Sequence, residues 1–191
     1  MAKSEKTEIH DRVFNVAMDM MRRYGLRGMN MSELAKRSNL AKATLYKIIG
    51  TKENLVDMVA YHIYDINTKT LLKNLLEYED PEIAVTAFLD EYLNFSVASQ
   101  RVLVLQIYKE YPALEEKYDR DFEERMCKVE EVFEEWYDKG MLNHDINVNH
   151  CIESLRALND FYVESDYSDK EVIDRLRSGF RCIFNGMGIK I

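Results

Sequence analysis

The chain has 191 residues, 47% of them hydrophobic, which suffices for a core and is too much for a disordered polymer; seven Gly and two Pro leave little to punctuate β-hairpins and favour long helices. The net charge of −8 divides unevenly, with 11 Lys/Arg against 6 Asp/Glu in residues 1–56 and 15 against 28 in residues 57–191. The longest stretch free of these residues, Tyr92–Gln100, is far too short to span a bilayer, no apolar run follows Lys3, Glu5, Lys6 and Glu8 as a signal peptide needs, and Cys127, Cys151 and Cys182 make no disulfide framework, so a cytoplasmic protein with no membrane partner is expected.

Apolar residues at 13, 17, 20, 21 and 24 mark an amphipathic helix that Gly25 stops. Asn30 with Glu33 three residues on has the form of a capping box and starts a second, short helix at Met31. It ends at Ser38-Asn39, where Asn tolerates a left-handed backbone. A third helix from Lys42 to Ile49 turns Leu45 and Ile49 inward and stops at Gly50. Thr51 caps a long fourth helix carrying Leu55, Val56, Val59, Ile63 and Ile66 inward. Beyond Pro81 the pattern predicts helices over about 82–97, 101–109 and 113–139, then 148–164 and 170–187.

The second and third helices, separated by about four residues, have the layout of a helix-turn-helix, in which the second helix lies free to enter a DNA major groove. Lys42, Ala43, Thr44 and Lys47 occupy its outer face. Lysine donors match guanine O6 and N7, and the methyls of Ala43 and Thr44 match that of thymine. The Tyr46 hydroxyl and the Lys52 ammonium suit phosphate oxygens. The excess of positive charge in this head favours a polyanion over a hairpin whose lysines only keep it solvated.

Over residues 13–59 the chain resembles the TetR family of transcriptional regulators, in the Gly25 stop, Leu34-Ala35, the turn, Thr44-Leu45-Tyr46, and Lys52-Glu53 with Leu55 behind them. The resemblance implies that Lys42, Ala43, Thr44, Lys47 and Ile48 read bases in a double-stranded operator and that Tyr46 and Lys52 hold phosphates. It departs from the usual pattern at Asn39 where Gly is common, at Ala41 for a frequent Ser cap, at Ala43 for Gly or Pro, and at Ile49 for Phe. Lys47 and Ile48 also differ from the usual aromatic and His, so no operator sequence carries over. The implied architecture is all-α: an N-terminal three-helix helix-turn-helix DNA-binding domain over 1–51, then a larger helical ligand-binding and dimerisation domain over 52–191. The resemblance also implies, as the family's tendency, a repressor that releases its operator on binding a small-molecule effector.

In the body, Tyr64, Phe88, Tyr92, Tyr108, Phe122, Met126 and Trp136 are the candidate lining of an effector pocket, and the acidic composition favours a cationic or neutral effector. The broad apolar stripe of the last helix suggests a four-helix homodimer interface through Ile152, Leu155, Ile173, Leu176, Phe180, Ile183 and Phe184, with the two phenylalanines as anchors. Two other functions fit the residues less well. An all-helical enzyme lacks its signals: there is no Glu-x-x-His pair, P-loop, G-x-G-x-x-G or Cys-x-x-Cys, and the spacing of His144, His150 and Cys151 is a weak metal pattern, so no catalysis, metal or cofactor is expected. A helical adaptor or sensor acting through its acidic body would not need the basic head.

Overall fold

The computed structural model describes residues 3–191, apart from the side chains of 3–7, 95, 96, 98 and 99. Among the described residues the regular structure is helical: α1 (Lys3–Gly28), α2 (Met31–Arg37), α3 (Lys42–Ile49), α4 (Lys52–Glu77), α5 (Pro81–Glu91), a π-helical turn (Tyr92–Val97), α6 (Ala98–Glu110), α7 (Pro112–Asp138), α8 (Val148–Glu164) and α9 (Asp169–Met187). They form two compact units, one made of residues up to Ile63 with Val102–Glu116, the other of Tyr64–Arg101 with Lys117–Ile191.

The head owes its shape to its turns. Gly25 breaks α1 with φ 71° and ψ 170°, a conformation costly for any residue with a Cβ. That break is held from elsewhere in the same unit: the Leu26 N–H donates to Gln106 Oε1 at 3.1 Å, and Arg27 pairs with Glu110 at 2.7 Å. Asn30 caps α2 by accepting from the Ser32 and Glu33 N–H groups. The predicted reciprocal half of the capping box is not made, because Glu33 bonds Arg37 one turn on at 2.9 Å. This bond holds the Glu33 carboxyl below its ordinary range. Asn39 takes the left-handed conformation, φ 54°, and the Leu40 N–H returns to Ala35 O at 2.9 Å, closing the turn into α3. Leu34, Leu45 and Leu55, all fully buried, anchor α2, α3 and the start of α4.

In the larger unit one core runs through Val85, Leu89 and Leu93, Val129, Phe133 and Trp136, and Val172, Leu176, Phe180 and Phe184. No break separates residues 97 and 101, where sequence periodicity suggests one. No Gly or Pro is present there to end the helix, and the out-of-phase residue is absorbed by the wider π turn. Arg101 follows it, buried, its guanidinium donating to the carbonyls of Val163, Ser165 and Tyr167 and pairing with Asp169 at 2.9 Å. Ser168 starts α9 with a complete capping box, its hydroxyl accepting from the Glu171 N–H while the Glu171 carboxylate accepts from the Ser168 N–H.

Candidate nucleic-acid interface and effector pocket

Burial divides α3 into two faces. Leu45 and Ile49 point into the unit, 0% and 4% exposed. Lys42, Ala43, Thr44, Tyr46 and Lys47 are exposed, and Ile48 is half-buried. Ala43, Thr44 and Lys47 share one stripe by the three- and four-residue spacing of a helix. Among the described residues Lys42 and Lys47 form no ion pair, whereas Arg23, Arg27 and Arg37 are paired with Asp19, Glu110 and Glu33. The cations on α3 thus remain available to an outside anion.

Lys52 is placed differently from its neighbours. It is half-buried, and its ammonium donates to Leu26 O at 3.0 Å and Met29 O at 3.2 Å, tying α4 to the segment after the Gly25 break. One of its three N–H groups is not used by these two carbonyls. The α3 N-terminus has no side-chain cap, as Ala41 dictates, and Gly50 at φ 70° ends the helix. Thr51 Oγ1 accepts from the Asn54 N–H at 3.2 Å and starts α4.

The larger unit encloses a cavity of about 250 Å³, lined mainly by apolar side chains of α4, α5, α7, α8 and α9. Phe88, Tyr92, Phe122 and Met126, predicted from sequence, lie on its wall, and Leu71, Phe133 and Ile152 were missed because aliphatic wall and aliphatic filling have the same periodicity. The other candidates lie elsewhere. Tyr64 is buried against Tyr118, ring centroids 5.3 Å apart, Trp136 is buried edge-on to Phe133, and Tyr108 belongs to the smaller unit. The polar part of the wall includes Arg156, Asn159 and Asp160. Tyr92 donates to Asn159 Oδ1 at 2.5 Å, and burial pushes its phenol well above the ordinary range.

The expected dimer anchors need correcting. Phe180 and Phe184 are 5% and 4% exposed within their own chain and line the cavity, and Ile152 and Leu176 are buried with them. Helical periodicity identifies the apolar face of α9 but not what covers it. Leu155 also lines the cavity, while Ile173 and Ile183 are half-buried. Around the weak metal pattern, the His144 ring lies edge-on to Tyr137 and the His150 N–H caps onto Asn147 at 2.9 Å.

Residues 13–59 match the model of the bacterial regulatory proteins of the tetR family. The match covers the head of the chain, about a quarter of its length. An uncharacterized HTH-type transcriptional regulator of Haemophilus influenzae is 29% identical over 75 residues, which span 39% of this chain and 40% of that protein. At the level of fold the resemblance extends to nearly the whole chain. A TetR transcription regulator from Haloarcula marismortui is 16% identical with a TM-score of 0.75, covering 95% of this chain and 97% of that one. The regulator FadR from Bacillus subtilis, in complex with stearoyl-CoA, is 12% identical with a TM-score of 0.69, over 93% and 98%. PfmR, a TetR family regulator from Thermus thermophilus, is 18% identical with a TM-score of 0.68, over 92% and 98%.

Proposed function

We propose that this tetR-family chain is a transcriptional repressor that binds an operator through α3 and releases it when a small molecule enters the cavity of the larger unit. The observation that carries the proposal is the division of α3: Leu45 and Ile49 hold it in the head, while Thr44 and Lys47 face outward with a lysine unpaired among the described residues. Lys42, Ala43, Thr44, Lys47 and Ile48 contact bases. Tyr46, with the remaining Lys52 donor, contacts phosphates and sets the register. Residues 1–51 are the reading domain, and 52–191 the domain that binds effector and a second copy. The protein acts in the cytoplasm and performs no catalysis.

A homodimer presents its two recognition helices about 34–36 Å apart, one turn of DNA. With Phe180 and Phe184 committed to the core, the partner copy packs on the outward side of α8 and α9, where Ile173 and Ile183 are half-buried. An effector that binds better to another packing of the body shifts this spacing with a coupling of about 1–3 kcal/mol. The fold shared with a regulator solved with stearoyl-CoA supports a cavity of this kind as the effector site.

Selection of bound sequences from a random duplex pool, followed by titration at two salt concentrations, tests the reading. Lys47→Ala is expected to cost about 1–3 kcal/mol and to relax preference at one base pair, while Tyr46→Ala weakens all sequences evenly. Unchanged affinity in both variants would overturn the assignment. An adaptor acting through its acidic body would show no steep salt dependence.

A further inference from the structure

The charges beside the cavity distinguish among ligands that its apolar wall would accept equally. Two charged side chains lie on the wall, Arg156 and Asp160. Arg156 is engaged: its guanidinium pairs with Glu123 and lies over the Phe122 ring, 5.5 Å from the centroid. Asp160 accepts one hydrogen bond, from Asn159 Nδ2 at 3.2 Å, and forms no ion pair among the described residues. Nearby, Asp119 has its carboxyl raised by partial burial and then by the fields of Asp160 and Glu123, with Arg156 only partly opposing them. Three carboxylates therefore stand around Arg156, which is already in use. The other guanidinium nearby, Arg125, is bonded to Thr68 of the wall and paired with Asp65 at 3.5 Å, so an anionic head group entering beside Asp160 would meet net repulsion. The stacked pair Phe88 and Tyr92, centroids 5.4 Å apart, adds ring faces that attract a cation.

We propose that the cavity takes an apolar ligand bearing a cationic head, an amine or quaternary ammonium, with its tail among Phe88, Met126, Phe133 and Phe184 and its head beside Asp160. This deepens the effector reading and rests on it. The head gains from a carboxylate that makes no ion pair among the described residues, and the tail from burial against apolar side chains. A carboxylate or phosphate head would have to displace Glu123 from Arg156, or Asp65 and Thr68 from Arg125, to find a partner.

Calorimetric titration of the full-length protein with decyltrimethylammonium and decanoate below their micelle concentrations, and with decanol below its solubility limit, isolates the head because the three tails match. The ammonium is expected to bind at least tenfold more tightly than decanoate, with decanol between them. Asp160→Asn should weaken the ammonium about fivefold and leave decanol unchanged; this exposed site tolerates the change, and thermal unfolding checks that it does. Decanoate binding as tightly as the ammonium, no binding by any of the three, or equal weakening of ammonium and decanol in the variant would each overturn the proposal. DNA affinity measured with the same probes keeps the two readings apart. Selective ammonium binding without release of DNA would support the ligand class and defeat the effector role. Release driven best by decanoate would do the reverse.

Discussion

Helix α3 in the head keeps Leu45 and Ile49 buried and gives most of its remaining surface to solvent, whereas α9 in the larger unit buries Val172, Leu176, Phe180, Phe184 and Met187 along its length. A helix proposed to read DNA must expose what it reads with, so it is held by few side chains and depends heavily on each. A helix that walls a cavity shares its anchoring among many. Loss of one contact should therefore have different consequences in the two regions, locally decisive in the first and distributed in the second.

The largest expected effect is at Leu45. Leu45→Ala should cost about 2–5 kcal/mol, and DNA binding should fall further than global unfolding by denaturant accounts for, because α3 loses one of its two anchors. Leu176→Ala, at equal burial, should lower the unfolding midpoint while leaving DNA affinity per folded molecule near that of the parent. Equal loss of DNA affinity in both would erase the contrast. Next comes Ser168→Ala, which removes the capping box of α9 and should cost about 0.5–2 kcal/mol in chemical denaturation. Ser38→Ala acts in the opposite direction. The Ser38 hydroxyl in the turn before α3 is fully buried and has no hydrogen-bond partner among the described residues, so its removal should stabilise the protein by about 1 kcal/mol, read as a raised unfolding midpoint.

The smallest effect is at Asp119. Its carboxyl is raised, so the folded chain holds that proton to higher pH than the unfolded chain does. The stability from this group is present at low pH and lost as pH rises through the raised value. Asp119→Asn should therefore raise Tm slightly at neutral pH, with the gain fading below the ordinary carboxylate range. A Tm gain independent of pH would assign the effect to something other than charge.

What could be read from sequence follows the range of the interactions. Asn30, Asn39, Gly50 and Thr51 act within a few residues of themselves, so local chemistry alone places α2, α3 and the start of α4. The contacts that secure the Gly25 break are different, since Gln106 and Glu110 lie some eighty residues from their partners and leave no periodic trace. The exposed face of α3 was legible because exposure on a short helix follows from its two buried positions. The cavity was only partly so. Phe88 and Trp136 look alike as aromatic residues at helical spacing, and only the packing of five helices makes one a wall and the other filling. Phe180 and Phe184 failed as dimer anchors for the same reason.

Arg101 makes the connection between α8 and α9 intolerant of change, in a way that an exposed loop would not suggest. Its planar fork serves three carbonyls and a carboxylate spread over seven residues. A lysine there would keep the charge yet supply a single nitrogen, stranding acceptors whose positions were set by a guanidinium. An inserted residue would push the same acceptors out of reach. Length variation among descendants of this chain should thus collect in other connections, leaving 165–168 as a fixed-gauge coupling.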